Sequence, residues 1–255
     1  MTATAASIRS HTERMTMILK TPSFSPSAFR RAGLTLVSVA IFSIACQVDN
    51  AWAAGQNDAK NGLNSLETFV KTTQSGRANF TQVVTSPAKE GQTAKSKTSA
   101  GTFEFLRPNR FKFVYKKPFE QSIVADGQTL WLYDADLNQV TSRKLAQVLN
   151  GTPAAVIAAA ADLKGLEADF ALSAQPDRAG LQWVLATPKT KDGQLQNIQV
   201  GFKATDKGSE LTALEILDSF GQKSVMSFNQ FEVNPALSAA SFQFKPPAGA
   251  DVIRQ

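Results

Sequence analysis

The chain has 255 residues, 27 basic and 21 acidic side chains, a net charge of +6 and a mean hydropathy of −0.16. Its one cysteine and one histidine, Cys46 and His11, both lie in the first fifth of the sequence. This composition argues against disulfide scaffolds, zinc sites built on Cys and His, and Cys–His or Ser–His–Asp nucleophiles.

Residues 1–53 read as an export signal. Arg30-Arg31 supply the charged region, Leu34 to Cys46 the apolar region, and Ala51-Trp52-Ala53 the small-x-small cleavage pattern, which predicts cutting after Ala53. The apolar run is short for a bilayer span, which favours a cleaved leader over an anchor. The leader is long, and Met15 or Met17 is an alternative start. Cleavage would remove Cys46, His11, five basic and two acidic residues, leaving a net charge of +3 and no case for nucleic-acid binding. A second reading rests on Ser43-Ile44-Ala45-Cys46, where a small residue precedes a cysteine that could be lipidated.

Residues 54–255 are expected to form a single domain of mainly antiparallel β structure, in the α+β class. Asn57 or Asp58 would cap a first helix whose apolar face is Leu63, Leu66, Phe69 and Val70. A strand follows from Arg77, and Pro87 to Ser99 reads as an exposed polar connection. Three alternating runs then dominate the chain. In the first two, Phe103 and Phe105 share one face, as do Phe111, Phe113 and Tyr115, because successive strand side chains point to opposite sides. Pro108-Asn109 makes the turn between them, and Asp126-Gly127 makes the next one, before Leu130-Trp131-Leu132-Tyr133.

From Lys144 the period changes. Lys144 to Leu149 can form a short helix, closed by Asn150-Gly151. Thr152-Pro153 then opens a second helix, Ala154 to Leu163, which is small-sided and almost uncharged and so must lie against apolar surroundings. Alternation resumes after Gly165 and continues to Phe242 and Phe244, with turns at Asp192-Gly193, Lys207-Gly208 and Phe220-Gly221. A long meander of this kind tends to curl, with the inserted helices placed to cover its concave face.

No catalytic constellation emerges. Asp126 is explained by its turn, and Asp134 and Asp136 by a polar strand end, rather than as paired glycosidase acids. Arg107, Arg110, Lys112, Lys116 and Lys117 alternate with aromatics as in single-strand binders, but their charges fall mostly opposite the rings, on a solvated face. Arg107 stands apart, beside Pro108 at the end of an aromatic strand. Its fork of five donors could serve either a surface ion pair or the carbonyls of a helix end.

The string Arg107-Pro108-Asn109-Arg110-Phe111 closely resembles the RPN-x-F hairpin of the periplasmic outer-membrane lipoprotein carriers, the LolA family. Asp126-Gly127 with Leu130 to Tyr133, Thr152-Pro153, Asp218 to Gln222, and the ending Phe242 to Ile253 resemble that family in the same order. The resemblance implies an incomplete, half-open β-barrel of about eleven strands with helices near 144–163 as a lid over the concave face. It implies a non-enzymatic carrier, without cofactor or metal and monomeric, in the periplasm. Such a carrier takes the acyl chains of lipoproteins from an inner-membrane ABC transporter and hands them to an outer-membrane receptor. It further implies that Arg107 latches the lid through hydrogen bonds to lid carbonyls near Ile157 and Ala158. Phe103, Phe105, Phe111, Phe113, Trp131, Val156 and Ile157 would contact the acyl chains. A receptor of similar fold, with Cys46 lipidated, and a lipid-sensing stress regulator are the alternatives.

Overall fold

The computed structural model describes residues 51–255, apart from 89–90, 92, 150–151, 160–161 and 191–193, and omits the side chains of 51–60, 155 and 159. Most of the export signal, including Cys46, lies outside the described residues. The described chain opens with helix α1 (Ala51–Thr72), which starts ahead of the Asn57 or Asp58 cap expected for it. Its Leu66, Phe69 and Val70 are buried, as their spacing predicts.

Among the described residues, twelve strands form one sheet: β1 (Ser75–Ser86), β2 (Lys95–Leu106), β3 (Arg110–Lys117), β4 (Gln121–Asp126), β5 (Thr129–Asp134), β6 (Gln139–Lys144), β7 (Phe170–Arg178), β8 (Leu181–Pro188), β9 (Leu195–Thr205), β10 (Gly208–Asp218), β11 (Lys223–Val233) and β12 (Asp251–Arg254). The spatial order is β12-β6-β5-β4-β3-β2-β1-β11-β10-β9-β8-β7, so the two ends, β12 and β7, do not join and the barrel is open. Pairing is antiparallel throughout except at β12, which runs parallel to β6. The long hairpin β1–β2 pairs from Ser75↔Leu106 to Ser86↔Lys95, so part of the expected connection is strand. Only Pro87 to Ala94 link the two.

Between β6 and β7 lie α2 (Leu145–Val148), a widened π-type turn (Ala155–Ala159) and α3 (Leu163–Asp169). The expected single helix from Ala154 to Leu163 is thus divided. Asp162 ends it by capping α3, its side chain accepting from the Gly165 N–H at 2.8 Å, and helix continues through Gly165 to Asp169. The core fills the sheet face under α1 and this insertion, where aromatic rings of β1, β2 and β3 meet Phe202, Phe228 and the buried Val156, Ile157 and Ala158. We call this the inner face. After β11 the chain crosses the opposite, outer face. Phe242 is wholly buried there, and Phe244 stacks on Trp131 with ring centroids 5.5 Å apart.

Candidate functional site

Register fixes which side chains share the inner face. Phe105 pairs with Phe111 and Phe103 with Phe113, and these continue across β4 to Ala125 and Ile123 and then to Leu130 and Leu132 on β5. Residues directly opposite in an antiparallel ladder point to the same side, so all belong to one surface. Phe103 stacks on Phe113 at 4.4 Å and on Phe105 at 5.7 Å, while Phe80 meets Phe113 edge-on at 5.8 Å. The surface is a continuous aromatic wall, with Phe69 of α1 against Phe105 at 6.0 Å.

Val156 and Ile157 are buried to within 2% of full coverage, in the same cluster as that wall. Six of the seven residues expected to contact acyl chains therefore come together. Trp131 does not. It pairs with Val124, which pairs with Lys112, and so belongs to the outer face. Its indole N–H donates to Asp126 Oδ2 at 3.0 Å. The physical reason is parity. Leu130 and Leu132 take the inward positions, and Trp131 is sheltered outside by the returning C-terminal segment.

Arg107 lies in the turn between β2 and β3, 7% exposed. Its Nε donates to the Thr73 carbonyl at 2.8 Å, just past the end of α1, and its guanidinium stands over the rings of Phe69 (5.2 Å) and Phe105 (5.4 Å). Burial among these rings pulls its pKa down to about 10. In the same turn Asn109 adopts φ +63°, a left-handed conformation that asparagine tolerates, and its backbone N–H donates to the Ala158 carbonyl at 3.2 Å. The turn thus touches both covers of the inner face. The Arg107 Nε bond reaches the chain just after α1, and the Asn109 main-chain bond reaches the inserted segment. The role of Asn109 was missed because a backbone donor has no signature in sequence.

Two polar features frame the wall. On the outer face, Glu104 binds Arg77 Nε at 2.8 Å and Lys112 Nζ at 2.9 Å. Burial alone would raise its pKa, but the bonds from Lys112 and Arg77 hold it below the ordinary carboxylate value. A shallow polar depression of about 290 Å³ lies over these residues. It lies behind the aromatic wall, on the other side of the sheet, and the charges of Arg77, Glu104, Lys112 and Glu232 make it unsuited to hydrocarbon. On the inner face, beyond Phe80 and Phe113, the Tyr115 hydroxyl donates to Gln82 Oε1 at 3.1 Å and Gln82 Nε2 donates to Ser224 Oγ at 2.7 Å. Burial pushes the Tyr115 phenol up to about 12, so it stays a donor at ordinary pH.

Fold and site together define an open β half-barrel with a lidded aromatic face. The model of the family described as "Outer membrane lipoprotein carrier protein LolA" matches residues 71–245. An outer-membrane lipoprotein carrier protein of Albidiferax ferrireducens is 68% identical over 84% of this chain and 99% of its own, and one of Leptothrix cholodnii is 53% identical over 80% and 91%. Among solved structures, a LolA superfamily protein from Nitrosomonas europaea aligns over 74% of this chain and 97% of its own at 12% identity, with a TM-score of 0.41. The chain belongs to the outer-membrane lipoprotein carrier family, LolA.

Proposed function

We propose that this protein is a non-enzymatic carrier that shelters the acyl chains of outer-membrane lipoproteins on its inner face. The observation that carries the reading is the aromatic wall of Phe103, Phe105, Phe111 and Phe113 closed by Val156 and Ile157. A soluble carrier needs a large apolar surface, and that surface must be hidden when empty or the molecule aggregates. An acyl chain gains about 0.8 kcal/mol for each methylene removed from water. Returning a side chain such as Val156 or Ile157 to water costs about 1.5–3 kcal/mol. Cargo of ordinary chain length thus outweighs the opening of a small lid, and reclosure helps to expel it.

In this reading the chain is exported to the periplasm, loses residues 1–53 and works as a monomer. It takes lipoprotein from an inner-membrane ABC transporter and delivers it to an outer-membrane receptor. The chain carries no P-loop motif, so the transporter supplies the energy. Arg107, with Asn109, holds the lid closed. The test is displacement of an environment-sensitive apolar dye. An acylated peptide should displace it, and the same peptide without acyl chains should not. Equal displacement by both would refute a lipid site.

A further inference from the structure

Along the inner face of β1, going towards the β1–β2 connection, the side chains are Ala78, Phe80, Gln82 and Val84. Level with Ala78, Phe80 and Gln82 lie Phe103, Gly101 and Ser99 on β2; level with Phe80, Gln82 and Val84 lie Phe228, Met226 and Ser224 on β11. On β1 and β2 the surface changes from aromatic to polar within one step, at Gln82 and Ser99, while Met226 and Leu214 keep it apolar towards β11 and β10. The change is organised. Tyr115, Gln82 and Ser224 form a hydrogen-bonded chain from β3 over β1 to β11, spanning three lengths of the ladder. Beyond it, level with Val84 and Ser86, stand the exposed Lys97 and Lys95.

The dimensions suit a lipid. From Gly76 to Gln82 is six strand residues, about 20 Å. One leaflet of a bilayer's hydrocarbon is about 15 Å deep. Acyl chains laid along the wall from the Arg107 end would leave its aromatic part, on β1 to β3, near Gln82. What lies at that point in a diacylglyceryl-modified cysteine is its pair of ester carbonyls, acceptors that need donors. By the donor inventory, a glutamine amide has two N–H hydrogens, of which one is used towards Ser224, and the Ser224 hydroxyl has its own hydrogen to give.

We infer that Gln82, Ser224 and Tyr115 form a polar girdle that binds the glyceryl ester head of the cargo lipid and sets how deeply its chains enter. The inference rests on the carrier reading above. Gln82 Nε2 and Ser224 Oγ donate to the ester carbonyls, while Tyr115 holds the Gln82 amide in the orientation that presents those hydrogens.

The test compares two synthetic lipopeptides on the same protein. One carries an S-(2,3-bis-acyloxypropyl)cysteine, and the other is its diether analogue, which keeps the chains and lacks both carbonyls. With about fivefold expected for each hydrogen bond, wild type should prefer the diester by roughly 5- to 25-fold. Gln82→Leu and Ser224→Ala should each bring the two affinities closer by about fivefold, with the diether bound as by wild type. Tyr115→Phe should lower the preference less. A merely structural defect would weaken both ligands alike. Equal affinity of wild type for diester and diether would overturn the girdle and leave the carrier standing. Binding of neither would overturn the carrier reading itself.

Discussion

Replacing Arg107 by leucine separates the two covers that the β2–β3 turn ties together. The change removes the Nε bond to the Thr73 carbonyl and the contacts with Phe69 and Phe105. A hydrogen bond from a charged donor contributes about 1.5–3 kcal/mol, and cation–π contacts about 0.5–2 kcal/mol. Against these stands the burial of the charge. A guanidinium that burial pulls down to about 10 carries roughly 3 kcal/mol of penalty on its charged form. The opposing terms nearly cancel, so Arg107→Leu should melt within about 1–2 kcal/mol of wild type. The lid is affected separately. With the turn no longer braced, the Asn109 bond to Ala158 loses its fixed donor, and the closed state loses about 0.5–1.5 kcal/mol, a shift of roughly 2- to 13-fold towards open. In the proposed carrier cycle lipoprotein binds the open form, so retention should tighten by the same factor. The assay is the fraction of radiolabelled lipoprotein passed from loaded carrier to receptor, which should collapse although loading survives. Arg107→Lys, which keeps charge without the planar fork, should fall between. Normal transfer by Arg107→Leu would refute the latch.

Two further outcomes follow from single contacts, and a third from the export signal. A methyl group at Gly62 would run into the Trp183 carbonyl, so Gly62→Ala should lower stability by about 1–3 kcal/mol in denaturant unfolding, despite the helix-propensity gain; a rise would mean α1 does not lie on β8. Tyr115 ionises near 12 folded and near 10 unfolded, so the folded state holds its proton longer and stability falls as pH rises between the two. Tyr115→Phe lacks that loss and should gain on wild type by up to about 3 kcal/mol over that window, read from unfolding midpoints; parallel curves would show the phenol is not buried. Mass spectrometry of the exported protein should find Ala54 at its N-terminus and no lipid, whereas a diacylated Cys46 would place the protein with the receptors.

The wall was legible in sequence because two-residue periodicity assigns faces without knowledge of distant partners. Phe103, Phe105, Phe111 and Phe113 landed together for that reason. Trp131 did not, because Leu130-Trp131-Leu132-Tyr133 is apolar at every position. Both faces of β5 are covered, the outer one by Phe244, and a strand buried on both sides carries no alternation to read. The parallel pairing of β12 with β6 joins segments more than 100 residues apart and leaves no local trace. The lid insertion was visible as an uncharged, small-sided stretch. Its division was not anticipated, although Asp162 before Leu163 is an ordinary cap signal. The Tyr115–Gln82–Ser224 chain was missed because its members lie on three strands, and Gln82 and Ser224 look like common surface residues in isolation.

The most direct measurement is cross-linking with a lipopeptide whose acyl chain ends in a photoreactive diazirine, followed by peptide mapping. Acyl chains on the inner face should label Phe103, Phe105, Phe111, Phe113 and the Val156–Ile157 segment, with labelling abolished by excess acylated peptide. Saturable labelling of Trp131, Tyr133 and Phe244 on the outer face, with the aromatic wall untouched, would contradict the account.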